Sequence, residues 1–194
     1  MEPVVLRTER LELSIPSEAD IDPMFEACQD RAIQRYTTVP SPYLREHAES
    51  FVAQIPKDWE AGNNLTWGIH EGGHLVGTIG LYRIDGRGAG EIGYWIAPWA
   101  RRRGVLSEAA DAVITWGFAA DGCGLARIEW RAVVGNAGSA RAARALGFRY
   151  EGMLRQALWN ANAPRDDGWV AGLLAGDDRT PQPWPVLDTV DEAV

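Results

Sequence analysis

Cysteine is scarce in this 194-residue chain: the two present, Cys28 and Cys123, lie far apart and form no CxxC pair. That excludes a disulfide framework and a thiolate metal site. Histidine is nearly as scarce, and His47, His70 and His74 stand outside any HExxH spacing, so no metal is expected. Positive charge is in deficit. Nineteen Lys and Arg face 27 Asp and Glu, for a formal net charge of −8, and so acidic a chain lacks the basic footprint of bulk nucleic-acid binding. No apolar run approaches the roughly 20 residues that cross a bilayer. The N-terminus is charged early and has no signal-peptide core. No membrane or nucleic-acid partner is expected, and the expected location is the cytoplasm.

What is present is the composition of a folded domain. Hydrophobic residues make up 46% and charged residues 24%, and the length suits one domain with a real core. Residues 4–15 alternate as a strand or a bent strand pair. Ser17 and Asp20 form a capping box before a helix whose face carries Ile21, Met24, Phe25 and Cys28. Cys28 on that face reads as a buried apolar residue. A second helix follows Pro40-Ser41-Pro42, with Ala48, Phe51, Val52, Ile55 and Trp59 as its inner stripe.

Residues 65–69, 75–84 and 91–96 read as three antiparallel strands with Gly-rich turns. The run Gly86-Arg87-Gly88-Ala89-Gly90 is GxGxG before a strand, not GxGxxG opening a helix, and reads as a turn. A helix over 103–120, with Leu106, Ala109, Val113, Trp116 and Ala120 inward, ends at Gly122 and Gly124. A strand at 126–133, a short helix at 136–146 and strands at 149–159 and 170–174 complete the pattern. The tail from Ala175 on, with three prolines and five acidic residues, reads as solvated or loosely packed. The expected division is one domain over 1–177 and an acidic, Pro-containing tail over 178–194. Three meander strands are too tightly connected for a doubly wound nucleotide fold, so the class is α+β.

The segment from Glu91 to Ala109 carries the chemistry. A strand enters a basic, Gly-containing turn that becomes the first turn of a long helix. Free N–H groups at a helix start bind anions, and Arg101, Arg102 and Arg103 concentrate positive charge there. A solvated Arg run is the plainer reading; phosphate binding explains better why cations sit at the wrong end of a helix dipole.

Arg101-x-x-Gly104-x-Leu106 resembles the pyrophosphate motif (Arg/Gln)-x-x-Gly-x-(Gly/Ala) of the GNAT superfamily of acyl-CoA-dependent N-acyltransferases. Leu106 departs from it but keeps its N–H. Thr8-Glu9-Arg10-Leu11, Gly93-Tyr94-Trp95, Asn136-x-x-Ser139, Leu146-Gly147-Phe148 and Glu151-Gly152 resemble the RimJ/RimL-like branch, so the likeness spans residues 4–177. It implies a mixed, mostly antiparallel twisted sheet with helices on both faces. A splayed parallel strand pair would form the acyl-CoA cleft, with the strand 91–97 bulging away from 126–133.

By that resemblance, pantetheine lies along the backbone of Ile96 and Ala97, and Asn136 reaches its arm. The phosphates meet Arg101, Arg102, Arg103, Gly104, Val105, Leu106 and Ser107. Asn136 also reads as a plain N-cap. Glu91 matches the position of a catalytic carboxylate, which would take the amine's proton. Ser139 is the expected thiolate partner, because Ala143 stands where many relatives carry a Tyr; as a plainer alternative it bonds backbone. Some branch members place a Glu two residues after a Gln; here Gln156 precedes Ala157 and Leu158, which leaves Glu91 or no enzymic base at all. Tyr36, Trp159, Asp166 and Asp167 fall in segments that line the acceptor side. Trp67, Trp95, Trp99, Trp159 and Trp169 read as core, cleft wall or an aromatic acceptor pocket.

The expected activity is transfer of acetyl from acetyl-CoA to a primary amine, either a protein or peptide N-terminus or a small molecule. Attack would be direct within a ternary complex, since no Ser-His-Asp or Cys-His arrangement supports an acyl-enzyme. The rival reading is a non-catalytic acyl-CoA-binding module. A monomer or a homodimer is compatible with either.

Overall fold

The computed structural model describes residues 1–159 and 165–187. The opening segment is the bent pair: β1 (Leu6–Arg7) and β2 (Leu11–Ser14) are antiparallel, with Leu6 opposite Leu13. Helices α1 (Ile21–Ala27), α2 (Arg31–Tyr36) and α3 (Arg45–Ala61) follow. Then come the meander strands β3 (Leu65–Glu71), β4 (His74–Tyr82) and β5 (Ala89–Ile96), and helix α4 (Val105–Phe118). Strand β6 (Arg127–Val133), helix α5 (Ala137–Ala145) and strands β7 (Arg149–Leu158) and β8 (Asp166–Leu174) close the series. One sheet holds all eight strands in the order β1-β2-β3-β4-β5-β6-β8-β7, antiparallel except for β5 against β6. The expected α+β class and sheet are observed.

Alternation along the strands makes two layers of core. Leu11, Leu13, Leu65, Trp67, Ile69, Ile92 and Trp130 belong to the larger one, with Val105, Ala109 and Val113 of α4 and Ala140 of α5. Ile21, Met24, Cys28, Ile33, Ala48 and Val52 of α1–α3 form the smaller one with Leu75. Cys28 is buried, as expected, and burial pushes its thiol up to about 12, so it packs as an apolar group. The expected turn is present at 86–88, where Asp85 Oδ1 accepts from the Arg87 and Ala89 amides at 2.8 and 3.1 Å, while Ala89 and Gly90 already open β5.

Four expectations need correction. Helix α2 was not foreseen, because its only buried residue is Ile33; Asp30 starts it by accepting from the Ile33 amide at 2.9 Å. The buried stripe of α4 is Val105, Ala109, Ala110, Val113, Ile114 and Gly117, whereas Ala120 lies beyond the helix and is exposed. Leu106 and Trp116 flank that stripe half-buried, Trp116 against Trp67 at 5.3 Å between rings. Strand β8 begins at Asp166, because its polar start pairs with β7 at Leu158 and so needs no apolar pattern.

The fourth correction is the tail, which is not solvated through its described part. Trp184 and Leu187 are fully buried, and Trp184 Nε1 donates to the Phe148 carbonyl at 3.0 Å while its ring meets Trp130 at 5.4 Å. The chain crosses so close to α5 that a Cβ on Gly147 would stand 2.4 Å from Arg179 Cα. Truncating Trp184 to Ala is expected to cost about 3–5 kcal/mol. Thermal unfolding checks it; a midpoint lowered by less than a few degrees would restore the solvated tail.

One buried ion pair ties α1's approach to β3. His70 Nε2 meets Asp20 Oδ1 at 2.9 Å, and Asp20 Oδ2 accepts from the Ser17 amide at 2.7 Å in the foreseen capping box. The bond to Asp20 raises the His70 pKa against burial; the bonds from His70 and Ser17 lower that of Asp20 even though burial pulls the other way. A raised His contributes stability below its unfolded value of ~6.5 and loses it as pH rises through the folded value. A lowered Asp contributes above ~3.9 and loses it as pH falls through its own folded value. The pair is therefore fully effective from about pH 4 to 6.5. Wild type should lose stability relative to His70→Gln as pH is raised from that window to 8.5; parallel curves would contradict the assignment.

Candidate active site

The site is built where β5 and β6 part. Their parallel ladder runs from Ala89 opposite Arg127 to Ile92 opposite Trp130 and stops there, although both strands continue. Beyond that point β5 stays with β4, from Gly93 opposite Gly80 to Ile96 opposite Gly77. Strand β6 stays with β8, from Arg131 opposite Val170 to Val133 opposite Gly168. Each strand follows its other neighbour, and a fork opens. The expected splay is present, but the expected bulge is not: the β4–β5 register runs unbroken from Glu91 to Ile96.

Within the fork, the two backbone partners expected for pantetheine differ. The Ala97 amide donates to the Val76 carbonyl at 2.9 Å, away from β6, so it is already taken by β4. Alternation turns the Ile96 peptide groups toward the fork. The Ile96 carbonyl there accepts from Arg101 Nε at 3.1 Å and keeps its second lone pair.

The turn after β5 ends at Gly104, the N-cap of α4, in the left-handed region at φ 77°. Glycine is suited to that conformation and brings no side chain to accept the helix's first amides. By contrast, Asp30 caps α2, and Asn136 Oδ1 accepts from the Ser139 amide at 3.3 Å to cap α5. Val105, Leu106 and Ser107 thus present their N–H groups to the end of the fork. Leu106 costs nothing there, since its side chain turns toward the core.

The three arginines divide. Arg101 NH2 pairs with Asp30 Oδ1 at 2.7 Å, and Arg103 NH2 with Glu71 Oε2 at 2.8 Å. Arg10 pairs with Glu108 at 2.6 Å and donates to the Arg103 carbonyl at 3.2 Å, which holds the turn against β2. Arg102 is exposed at φ 60°. Of the arginines expected at the phosphates, Arg101 and Arg103 shape the turn, and among the described residues Arg102 has no ion-pair partner.

The two expected catalytic residues lie on opposite faces of the sheet. Glu91 shares its face with Glu129 and Arg131, and its Oε2 takes Arg83 and, at 3.6 Å, Arg131 Nε. Ser139, third residue of α5, lies on the larger core's face, where its Oγ meets Tyr94 Oη at 3.0 Å and accepts from Trp130 Nε1 at 3.1 Å. Tyr94 was named in sequence only as part of a motif. Its alternation with Ile92 and Ile96 already turned it inward, and an inward hydroxyl needs a partner.

On the side expected to take the acceptor, the Tyr36 hydroxyl reaches the Gly135 carbonyl at 3.5 Å, and Arg35 clasps Asp166 at 2.8 and 3.1 Å, so the end of α2 is drawn to the β6–α5 turn. Asp167 Oδ1 accepts from the Gln156 amide at 2.7 Å and holds β7 through a residue at φ 47°. Trp159 is 62% exposed at the end of β7, and the neighbouring residues 160–164 lie outside the described ones. An aromatic acceptor pocket is not formed by Trp67 and Trp169, which are core; Trp99 is exposed, and Trp95 packs on the smaller core. Among the described residues no group of His, Cys, Asp and Glu could hold a metal, and no helix is long and apolar enough to cross a membrane.

Comparison with known proteins agrees with this geometry. YoaA of Bacillus subtilis (strain 168), named an uncharacterized N-acetyltransferase, is 30% identical over 165 residues, 84% of this chain and 92% of its own. The p20 protein of Bacillus licheniformis, named likewise, is 29% identical over 154 residues, 77% of this chain and 85% of its own. Among solved structures, RimL, a ribosomal L7/L12 α-N-protein acetyltransferase in complex with coenzyme A, shares the fold. Its TM-score is 0.79 at 20% identity, with 88% of this chain and 98% of that one covered. MccE, a microcin C7 self-immunity acetyltransferase in complex with acetyl-CoA and AMP, does so at 0.77 and 19%, with 86% and 93% covered. Residues 10–149 match the acetyltransferase (GNAT) domain, and the chain belongs to that family of N-acetyltransferases.

Proposed function

We propose that this N-acetyltransferase moves acetyl from acetyl-CoA to a primary amine by direct attack within a ternary complex. The observation that carries the reading is the fork ending on an uncapped helix: unpaired strand edges for an extended arm, then free amides for an anion. The residues fit acetyl-CoA. The Ile96 peptide and the Asn136 amide would hold pantetheine. The Val105, Leu106 and Ser107 amides with Arg102 would hold the phosphates.

The Ser139 hydroxyl would face the thioester sulfur, and Glu91 the acceptor. An alkylammonium near pKa ~10 must lose a proton before it can attack. The Glu91 carboxylate, which meets Arg83 and Arg131 through Oε2, is the group to accept it. The acceptor's rim is Tyr36 with Asp166 and Asp167. Peptide N-termini and small amines both satisfy this chemistry.

The test is a panel of peptides and small amines incubated with acetyl-CoA, following free thiol. Thiol release that depends on an amine supports the reading. Tight acetyl-CoA binding with no amine-dependent release would establish the rival, a non-catalytic acyl-CoA-binding module.

A further inference from the structure

Tyr94 stands on the half of β5 that has left β6, Trp130 is the last residue of β6 still paired to β5, and Ser139 opens α5. Their polar atoms form a triangle across the apex of the fork. Trp130 Nε1 donates to Ser139 Oγ and to Tyr94 Oη at 3.1 Å each, and the two hydroxyls are 3.0 Å apart. Tyr94 Oη also lies 3.4 Å from the Ser139 carbonyl.

The protons in this triangle can be counted. An indole N–H only donates, and each hydroxyl carries one proton. In the first arrangement Tyr94 donates to Ser139 Oγ. That oxygen then accepts twice, from Tyr94 and Trp130, and its own O–H must point out of the triangle. In the second, Ser139 donates to Tyr94, and Tyr94 turns to the more distant Ser139 carbonyl, so no O–H is left over. Both use the 3.0 Å contact between the hydroxyls, and of the two only the first offers a donor to the fork; a third, with Tyr94 on the Ser139 carbonyl and the serine proton outward, relies on the longer 3.4 Å bond. An anion placed there selects against the second, and of the two arrangements that turn the serine proton outward the first makes the shorter tyrosine bond.

We propose that Tyr94 is a positioning residue for the reaction: by donating to Ser139 Oγ it turns the serine proton outward, onto the sulfur that leaves as a thiolate. The inference rests on the fork being the acetyl-CoA site and adds to it how that sulfur is recognised. When the carbon–sulfur bond breaks, its electron pair stays on sulfur, and the serine O–H meets the new charge as a hydrogen bond. No proton needs to cross. A phenol ionises near ~10, and burial raises Tyr94 further, so the phenol keeps its proton.

Among the described residues no fixed charge acts on the Tyr94 hydroxyl. Glu91, Glu129 and Arg131 project from the other face of the sheet, and Arg141 of α5 is exposed. Among the described residues, burial and the bonds from Ser139 and Trp130 are what act on the Tyr94 hydroxyl.

The test needs no acceptor. Free CoA is bound to the protein, and the thiolate's ultraviolet absorbance is followed as pH is raised. Wild type should bind CoA with its thiol shifted below that of CoA in solution by about one pH unit, the size of one charge-assisted hydrogen bond. Ser139→Ala should remove the shift. Tyr94→Phe should remove most of it while CoA affinity measured at low pH, where the thiol is neutral, stays unchanged. The double variant should equal Ser139→Ala, because the two act in series. Tyr94→Phe binding CoA with the full shift would overturn the proposal, as would Ser139→Ala retaining it should Tyr94→Phe fail to fold. A wild type that binds no CoA would overturn the acetyl-CoA reading itself, and this inference with it.

Discussion

Glu91→Gln is expected to lower kcat by roughly 10²–10⁴-fold, the usual contribution of a positioned general base, with acetyl-CoA affinity unchanged. The substitution keeps the shape and removes the charge that accepts a proton. Its structural cost is small. Arg83 is 64% exposed at its side chain, and a pair of that kind contributes ~0–1 kcal/mol. Arg131 keeps Glu129, whose Oε1 lies 2.5 Å from its Nε. The folded variant should therefore bind acetyl-CoA and stall at amine attack. Wild-type turnover, measured where chemistry limits the rate, would mean that the amine's proton goes to solvent and that proximity in the fork suffices.

The second large effect separates two neighbouring arginines. Arg102→Ala should weaken acetyl-CoA binding by about 1.5–3 kcal/mol, roughly ten- to a hundredfold, for the loss of one charge-assisted contact. The protein's stability should stay within ~0.5 kcal/mol, as for an exposed residue without a special role. Arg101→Ala should do the reverse in part. It strips Asp30 of its guanidinium partner and the Ile96 carbonyl of its donor, which loosens the junction of α2, β5 and the turn. Its thermal midpoint should fall before its affinity is examined at all. Calorimetry on both variants decides. Equal affinity losses with equal stability would mean that the three arginines act as one undivided cluster.

The contrast between Arg101 and Arg102 shows what could be read in the sequence. Three adjacent arginines at a helix start announce an anion site, because local charge and the helix dipole are properties of the string. Which of them is spent on Asp30 or Glu71 depends on residues 71 and 32 positions away in the chain, and no local pattern carries that. The strands of the meander and the buried face of α3 were legible for the same local reason, their periods of 2 and 3.6.

Helix α2 and the buried end of the tail were not legible. Six residues with one buried side chain give no period, and Trp184 sits among prolines and charges that in isolation look solvated. The site divides likewise. The family resemblance brought forward Glu91, Asn136 and Ser139 by their spacing. The clasp between Tyr94, Trp130 and Ser139 depends on two strands parting after Ile92, a property of the sheet as a whole.

Hydrogen exchange of the backbone amides, with and without acetyl-CoA, tests most directly that the fork and the uncapped start of α4 are one binding site. Binding should protect residues 102–107 and the unpaired half of β5 around Ile96 together, and leave β1, β2 and the β3–β4 turn unchanged. Protection confined to another face, or none at saturating acetyl-CoA, would contradict the account.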